Sequence, residues 1–246
     1  MGLVLLRVLL LFTAAALVAG VVSATTGAGF SLALTPQLSA LYFVPVNLLC
    51  LWLLERRAAS VGGLRRLLGF ERGRLGRDAL QGLLWMVVLF VPFVLAVNLV
   101  MLLLFGPSGM LDAYEVVFAP DPALALEWPY RFALGSALVT AVLFPLTNAP
   151  AEELVYRGHA QGELLAAGRP AAVAVLLPAV AFGLQHLLLA PSAAGMLVYG
   201  VAFLAWGLGA GLIYLRRRRL MPLVMAHLYT NAMFSVLPLV FVLTGA

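Results

Sequence analysis

The chain has 246 residues, of which 64% are hydrophobic and 10% are charged, and its net charge is +5. Soluble globular chains are about half apolar and about a quarter charged, so this composition excludes an ordinary soluble domain. It also argues against a nucleic-acid-binding surface, because the arginines cluster at helix ends and form no continuous basic face. The lipid bilayer is therefore the expected solvent for most of the chain.

Seven apolar stretches are long enough to cross a membrane, since a spanning helix needs about 20 residues. They are predicted at residues 3–22, 36–54, 80–105, 130–151, 170–190, 195–215 and 220–244, and the fourth continues as a helix beyond residue 151. The sequence thus predicts an all-α, polytopic bundle of about seven transmembrane helices. We divide it into residues 1–129, with three spans and their loops, and residues 130–246, with a four-helix core.

Charged residues sort by loop and predict the orientation of the bundle. The loop at residues 55–78 contains seven arginines, and Arg216–Arg219 follow the sixth span. The loop at residues 106–129 contains no basic residue and four acids, Asp112, Glu115, Asp121 and Glu127. With seven spans all basic clusters lie on one side, and the positive-inside bias then places the N-terminus in the cytoplasm.

Three segments outside the polar core carry separate expectations. The first span ends at Val22-Ser23-Ala24, which resembles a signal-peptidase site, although the apolar run is long for a signal peptide. Arg7 stands near the start of this span and is expected to reach the membrane surface. Residues 61–80 form either an amphipathic surface segment or a solvated loop. Gly207 and Gly211 are four apart and predict close helix packing.

Polar residues concentrate in the last four predicted spans. Ionisable side chains inside a membrane are costly and usually mark a functional site. The first three spans contain almost none, whereas the last four contain all three histidines of the chain. These spans contain Glu152, Glu153, Arg157, His159, Gln185, His186, His227 and Asn231.

The spacing around the turn at residues 168–170 predicts that some of these side chains meet. Gly168 ends one helix there, and a proline starts the next. Glu152 and His186 each stand seventeen positions from the middle of the turn, at about 25 Å along their helices. His227 and Asn231 are four residues apart and share one face of the last span. We therefore expect all four side chains at one depth.

The two adjacent glutamates are expected to differ in their surroundings. Glu153 and Arg157 are four residues apart and can pair on one helix face. Glu152 points about 100° away from Glu153 and is free to face the histidines. Pro150 removes a backbone hydrogen bond just before them, and we expect a kink and a wet pocket there. Under another interpretation, the polar residues only hold the bundle together as a buried network.

Three motifs stand in order along this region: EELVYRG at residues 152–158, FGLQH at 182–186 and HLYTN at 227–231. The pattern EExxxRG, FxxxH and HxxxN resembles the CAAX protease and bacteriocin-processing family, whose eukaryotic relatives include the Ras-converting CAAX endopeptidase. The resemblance covers residues 132–237. It implies an intramembrane glutamate-dependent endopeptidase acting on membrane-associated peptides or protein tails, with its catalytic core at residues 130–246.

The resemblance also implies a role for each motif residue. Glu152 would activate the attacking water as general base, and His186 would assist it. His227 and Asn231 would stabilise the oxyanion of the tetrahedral intermediate. The expected partners are the bilayer and the substrate, and the expected location is a bacterial inner membrane with the active site open towards the cytoplasm.

Glu153 and Arg157 would have an architectural role, and no cofactor is expected. One alternative is a zinc enzyme in which Glu152, His186 and His227 bind the metal and water takes the fourth position. A non-catalytic bacteriocin-immunity protein is another alternative. A transporter is a third, although the sequence shows no inverted repeat of the kind that many transporters contain.

Overall fold

The computed structural model describes residues 1–27, 29–118 and 128–244. Over these residues the chain is 88% helical and contains no strand. Seven helical segments in the described ranges are long and apolar enough to cross a membrane, which confirms the predicted all-α bundle. The spans are Gly2–Thr26, Pro36–Ala58, Leu75–Phe118, Tyr130–Ala166, Ala171–Leu189, Ala193–Arg217 and Met221–Thr244.

Local sequence signals explain where several spans begin and end. The side chain of Thr35 accepts a hydrogen bond from the first turn of the second span, where Pro36 occupies the first helical position. Ser192 caps the sixth span by accepting a hydrogen bond of 3.0 Å from the Gly195 amide. The predicted turn is present as well, because Gly168 adopts a φ of 70° in the left-handed region.

The third span is longer than predicted. It was expected to end at residue 105, but helix resumes after Gly106, whose backbone leaves helical geometry at φ 67° and ψ 173°, and continues to Phe118. The predicted loop at residues 106–129 was therefore wrong for its first part, because Pro107 is well suited to the start of a new helix. Residues 119–127, including Asp121 and Glu127, lie outside the described part of the chain.

The basic segment after the second span folds into short helices. They are Ala59–Val61, Gly63–Leu67 and Arg72–Arg74, and the third span begins directly afterwards. Leu64, Leu67 and Leu68 of this segment pack against the main hydrophobic core. The segment is thus a folded cap on one end of the bundle.

The groups that were predicted to share one membrane side lie at the same end of the bundle. The N-terminal amine lies 3.7 Å from the Glu163 carboxylate. Arg57 Nη1 lies 3.4 Å from His159 Nε2. Arg219 donates to the carboxylate of Asp78 at 3.0 and 2.6 Å. The positions of the charged residues in the sequence therefore correctly grouped these segments at one end of the helical bundle.

Small residues allow the fifth and sixth spans to approach closely. A Cβ atom added to Gly207 would lie 3.1 Å from Ala179 Cα, and one added to Gly211 would lie 3.0 Å from Val175 Cγ1. A Cβ atom added to Gly183 would lie only 2.7 Å from the backbone oxygen of Gly200 in the sixth span. The predicted close packing is confirmed, and it sets the position of the end of the fifth span, which carries the second motif.

Candidate active site

The first motif lies on an unusual stretch of the fourth span. This span is α-helical over Phe144–Glu152 and π-helical over Glu153–Gln161, with an earlier π-helical turn at Val139–Leu143. Such π-helical segments are rare and occur frequently at functional sites. Pro150 was expected to kink the helix and open a wet pocket. The change in winding begins at Glu153 instead, and the motif side chains are buried.

Three of the predicted side chains meet between three different spans. Glu152 Oε2 lies 3.5 Å from His227 Nε2 and 4.0 Å from His186 Nε2. Their exposed fractions are 0% for Glu152, 2% for His186 and 3% for His227. The prediction from helix rise that these residues share a common depth therefore agrees with the structure.

Hydrogen bonds on the far side of each ring turn both imidazoles towards Glu152. His186 Nδ1 lies 2.6 Å from the Phe182 carbonyl oxygen, and His227 Nδ1 lies 2.9 Å from Glu153 Oε1. A carbonyl or an ionised carboxylate only accepts, so each Nδ1 carries a proton and each Nε2 is left for the site. Phe203 stacks on His186 with 3.7 Å between ring centroids.

Asn231 lies one helical turn after His227, on the same face of the last span. Its amide nitrogen Nδ2 is buried and has no hydrogen-bond partner among the described residues. Buried polar atoms without a partner are uncommon in native structures and call for an explanation. The structure therefore leaves Asn231 with an unused donor and does not connect this atom to Glu152 or to either imidazole.

Glu153 forms the predicted ion pair and one further contact. Arg157 Nη1 lies 3.0 Å from Glu153 Oε1, and both side chains are buried. The Arg157 guanidinium also lies over the ring of Phe182, 4.5 Å from its centroid. Because the same Glu153 oxygen bonds to His227, this carboxylate connects the ion pair to the site, a contact that the sequence did not predict.

Arg7 was predicted to reach the membrane surface, and this prediction was wrong. The side chain is 0% exposed, and its Nη2 atom lies 3.0 Å from Glu152 Oε1. Nη2 also donates to Asn148 Oδ1 at 3.3 Å, and Nε donates to Gln185 Oε1 at 3.0 Å. A guanidinium inside a membrane bundle needs such partners, and Glu152 supplies the opposite charge. Glu152 is therefore not free on all sides, as the sequence analysis expected.

The numbers of acidic and basic residues in the first motif could have pointed to Arg7 as a partner of Glu152. The first motif contains two buried carboxylates, Glu152 and Glu153, but only one arginine, Arg157. Buried charges are usually paired, so the second carboxylate lacked a counter-ion among the motif residues. Arg7 is a cation within the first apolar stretch, and spacing alone does not show which face of that helix points inward.

The third histidine lies away from the site. His159 Nδ1 lies 3.2 Å from Glu163 Oε1, at the end of the bundle that carries the N-terminus. Gln185, by contrast, belongs to the site, because its Nε2 atom donates to Glu152 Oε1 at 2.6 Å. Its Oε1 atom accepts from the Tyr156 hydroxyl at 2.6 Å.

The described residues contain no group of three or more His, Cys, Asp or Glu side chains with the geometry of a metal site. Zinc is held at about 2.0–2.2 Å by nitrogen and oxygen ligands, so several donors must converge on one point. The alternative with Glu152, His186 and His227 as zinc ligands stays a prediction that a chelator can test.

Comparison with known proteins places the three motifs in a family. The family model described as Rce1-like, type II CAAX prenyl endopeptidase, matches residues 134–233. No curated protein and no solved structure matches the chain. The matched segment begins in the fourth span, ends in the seventh and contains all three motifs. The resemblance predicted from these motifs is therefore confirmed over residues 134–233, where the chain is similar to Rce1-like endopeptidases.

Proposed function

We propose that this chain is an intramembrane endopeptidase in which Glu152 activates a water molecule for attack on a peptide bond. The family match supports the reaction class. One observation of the site supports the mechanism: Glu152 Oε2 is buried without a hydrogen-bond partner among the described residues and faces the Nε2 atoms of His186 and His227. A buried water needs two to four polar partners, and these three atoms supply them.

Activation of the water follows from the protonation of the rings. His186 Nδ1 carries a proton and donates a hydrogen bond to the Phe182 carbonyl oxygen, so Nε2 of the neutral ring is an acceptor. A water between the two side chains donates one hydrogen bond to Glu152 Oε2 and the other to His186 Nε2. Glu152 takes the first proton as the water oxygen bonds to the carbonyl carbon of the substrate. General-base catalysis of this kind contributes about 10²–10⁴-fold in rate.

The carbonyl oxygen of the substrate becomes an oxyanion in this step. Asn231 offers a buried amide N–H that has no other partner among the described residues. His227 donates from Nε2 when its ring carries both protons, and Glu153 Oε1, 2.9 Å from Nδ1, holds the ring in place. A single donor of this kind is worth about 10²–10³-fold in kcat. Glu153 thus supports the oxyanion site through His227.

The intermediate then collapses with the proton returned. Glu152 gives its proton to the departing amide nitrogen as the carbon–nitrogen bond breaks, which leaves a carboxylic acid on one product and an amine on the other. Because Glu152, His186 and His227 are almost completely buried, water and substrate require an opening between spans. In the orientation predicted from the arginines, this opening faces the cytoplasmic side of a bacterial inner membrane.

The test is a comparison of two glutamate variants on a prenylated CAAX peptide that carries a fluorophore and a quencher. Glu152→Gln keeps the shape of the side chain and removes the base, so kcat should fall by about 10²–10⁴-fold. Glu163→Gln is the matched control, since Glu163 lies on the same span at the end of the bundle and is 58% exposed. It should cleave like the wild type.

A second measurement covers other substrates. Membrane peptides are compared between cells that carry the wild-type chain and cells that carry Glu152→Gln. Fragments present only with the wild type support the proposal and identify the substrate. The catalytic proposal fails if the wild type and Glu152→Gln produce the same fragments in cells and cleave the probe at the same rate. The alternative of an immunity protein that acts by binding then replaces it.

A further inference from the structure

We propose that Arg7 is a positioning residue of this active site. Together with Gln185 it fixes one oxygen of Glu152, so that the other oxygen alone faces the attacking water. The inference rests on the proposed function. It makes the first span, which lies outside the Rce1-like segment at residues 134–233, part of the active site.

The two oxygens of Glu152 have different surroundings. Oε1 accepts from Arg7 Nη2 at 3.0 Å and from Gln185 Nε2 at 2.6 Å. Oε2 has no hydrogen-bond partner among the described residues. Hydrogen bonds from a guanidinium to a carboxylate are strong and directional. Two donors on one oxygen resist rotation of the carboxylate group, and this resistance keeps Oε2 turned towards the imidazoles.

Arg7 also determines the orientation of Gln185. The amide oxygen of Gln185 accepts from Arg7 Nε at 3.0 Å and from the Tyr156 hydroxyl at 2.6 Å. A guanidinium only donates, so the oxygen of the amide must face Arg7, and its nitrogen then faces Glu152. Arg7 therefore acts on Glu152 twice, directly and through the amide that it orients.

The charges of the site balance only when Arg7 is included. Glu152 pairs with Arg7 and Glu153 pairs with Arg157, each at 3.0 Å and both buried. Removal of one partner from a buried ion pair leaves an uncompensated charge, which is strongly unfavourable. Without Arg7, Glu152 would bind a proton or turn towards another donor. Either change removes the carboxylate from its position beside the water.

A purely structural role makes a different prediction. If Arg7 only anchored the first span, any substitution that loosens this span would reduce activity through the amount of folded protein. Leu11 provides the matched control, because it lies one turn after Arg7 on the same helix and is 0% exposed. Leu11→Ala weakens the packing of the span and leaves every hydrogen bond of Glu152 in place.

The experiment measures kcat and KM of folded Arg7→Met, Arg7→Lys and Leu11→Ala on the prenylated CAAX probe. We expect Arg7→Met to lower kcat by about 10²-fold, the loss that a misplaced catalytic group can cause, with KM unchanged. Arg7→Lys retains a cation and should recover part of the loss. Leu11→Ala should lower the unfolding temperature and leave kcat near that of the wild type.

Gln185→Leu keeps the experiment decisive if Arg7→Met does not fold, because it retains the ion pair between Arg7 and Glu152. It removes the second donor to Glu152 Oε1, together with the acceptor of Arg7 Nε and the Tyr156 hydroxyl. It should also lower kcat at constant KM. Wild-type kcat in Arg7→Met or Gln185→Leu, or an equal loss in Leu11→Ala, overturns the inference. If Glu152→Gln still cleaves the probe, the proposed function fails as well. If Glu152→Gln is inactive while the other variants retain full kcat, only the role of Arg7 is wrong.

Discussion

Two glutamates that are neighbours in the sequence are each paired with an arginine, but the two pairs form in different ways. Glu153 and Arg157 lie one turn apart on one helix, whereas Glu152 and Arg7 lie 145 positions apart on different spans. We call them the local pair and the remote pair. Both have a nitrogen–oxygen distance of 3.0 Å, and both are buried. The local pair can form with its helix, whereas the remote pair needs the first span in place.

This difference separates the surroundings of two otherwise identical side chains. Oε1 of Glu153 is shared between Arg157 and His227, which ties the local pair to the orientation of an imidazole. Each glutamate leaves its Oε2 atom without a hydrogen-bond partner among the described residues, but Oε2 of Glu152 faces the Nε2 atoms of both imidazoles. Titratable groups in contrasting environments commonly divide the tasks of acid–base catalysis. This contrast supports the proposal that Glu152 carries out the chemistry and that Glu153 supports it.

The largest expected effect comes from breaking the local pair. Glu153→Gln should lower the free energy of unfolding by about 3–5 kcal/mol, because Arg157 is left buried and unpaired. The measurement is unfolding in detergent micelles. The double variant Glu153→Gln, Arg157→Leu should be more stable than the single one, since no buried charge remains. A double variant as unstable as Glu153→Gln would show that the pair itself is not the cause.

The next effect concerns Asn231, whose buried amide nitrogen has no hydrogen-bond partner among the described residues. Asn231→Ala should lower kcat by about 10²–10³-fold, or about 2.7–4 kcal/mol, because it removes an oxyanion donor. Asn98→Ala is the control, since Asn98 bonds within the third span to Val94 and also accepts from Tyr114. Equal kcat values for the two variants on the same probe would contradict the assignment of Asn231.

A smaller effect should come from displacing the fifth span, which carries Gln185, the second hydrogen-bond donor to the remote pair's Glu152. Gly183→Ala places a methyl group against the sixth span and should destabilise the bundle by about 1–3 kcal/mol. It shifts the helix that carries Gln185 and His186 and leaves the fourth span unchanged. Gly135→Ala is the control, because its added Cβ meets nothing within 4 Å. Unfolding midpoints that do not differ between the two would show that the fifth span tolerates displacement.

Removal of metal ions is expected to have no effect on catalysis. A strong zinc chelator should leave kcat unchanged, because Arg7 and Arg157 already balance the two carboxylates. The control is a zinc-dependent protease that loses activity in the same buffer. Loss of activity that added zinc restores would instead support Glu152, His186 and His227 as ligands, and would replace the glutamate-only mechanism.

Much of the fold and part of the site were predictable because their causes are local. Hydropathy over about 20 residues marks a span, and the fixed rise of a helix places Glu152 and His186 at matching heights. The third span was misjudged at Gly106, because a change of direction at glycine followed by proline looks the same in sequence whether a loop or another helix follows. The orientation relative to the cytoplasm stays a prediction from the arginines.

The sequence by itself determined that this chain is a membrane bundle with three motifs, and that Glu152, His186 and His227 lie at one depth. Only the tertiary structure decided that Arg7 belongs with them, that Glu153 holds His227 and that Oε2 of Glu152 is left without a partner among the described residues. The physical reason is that helix height depends on distance along one chain segment. The face that a helix turns inward depends on its packing against all the others, and local sequence does not contain that information.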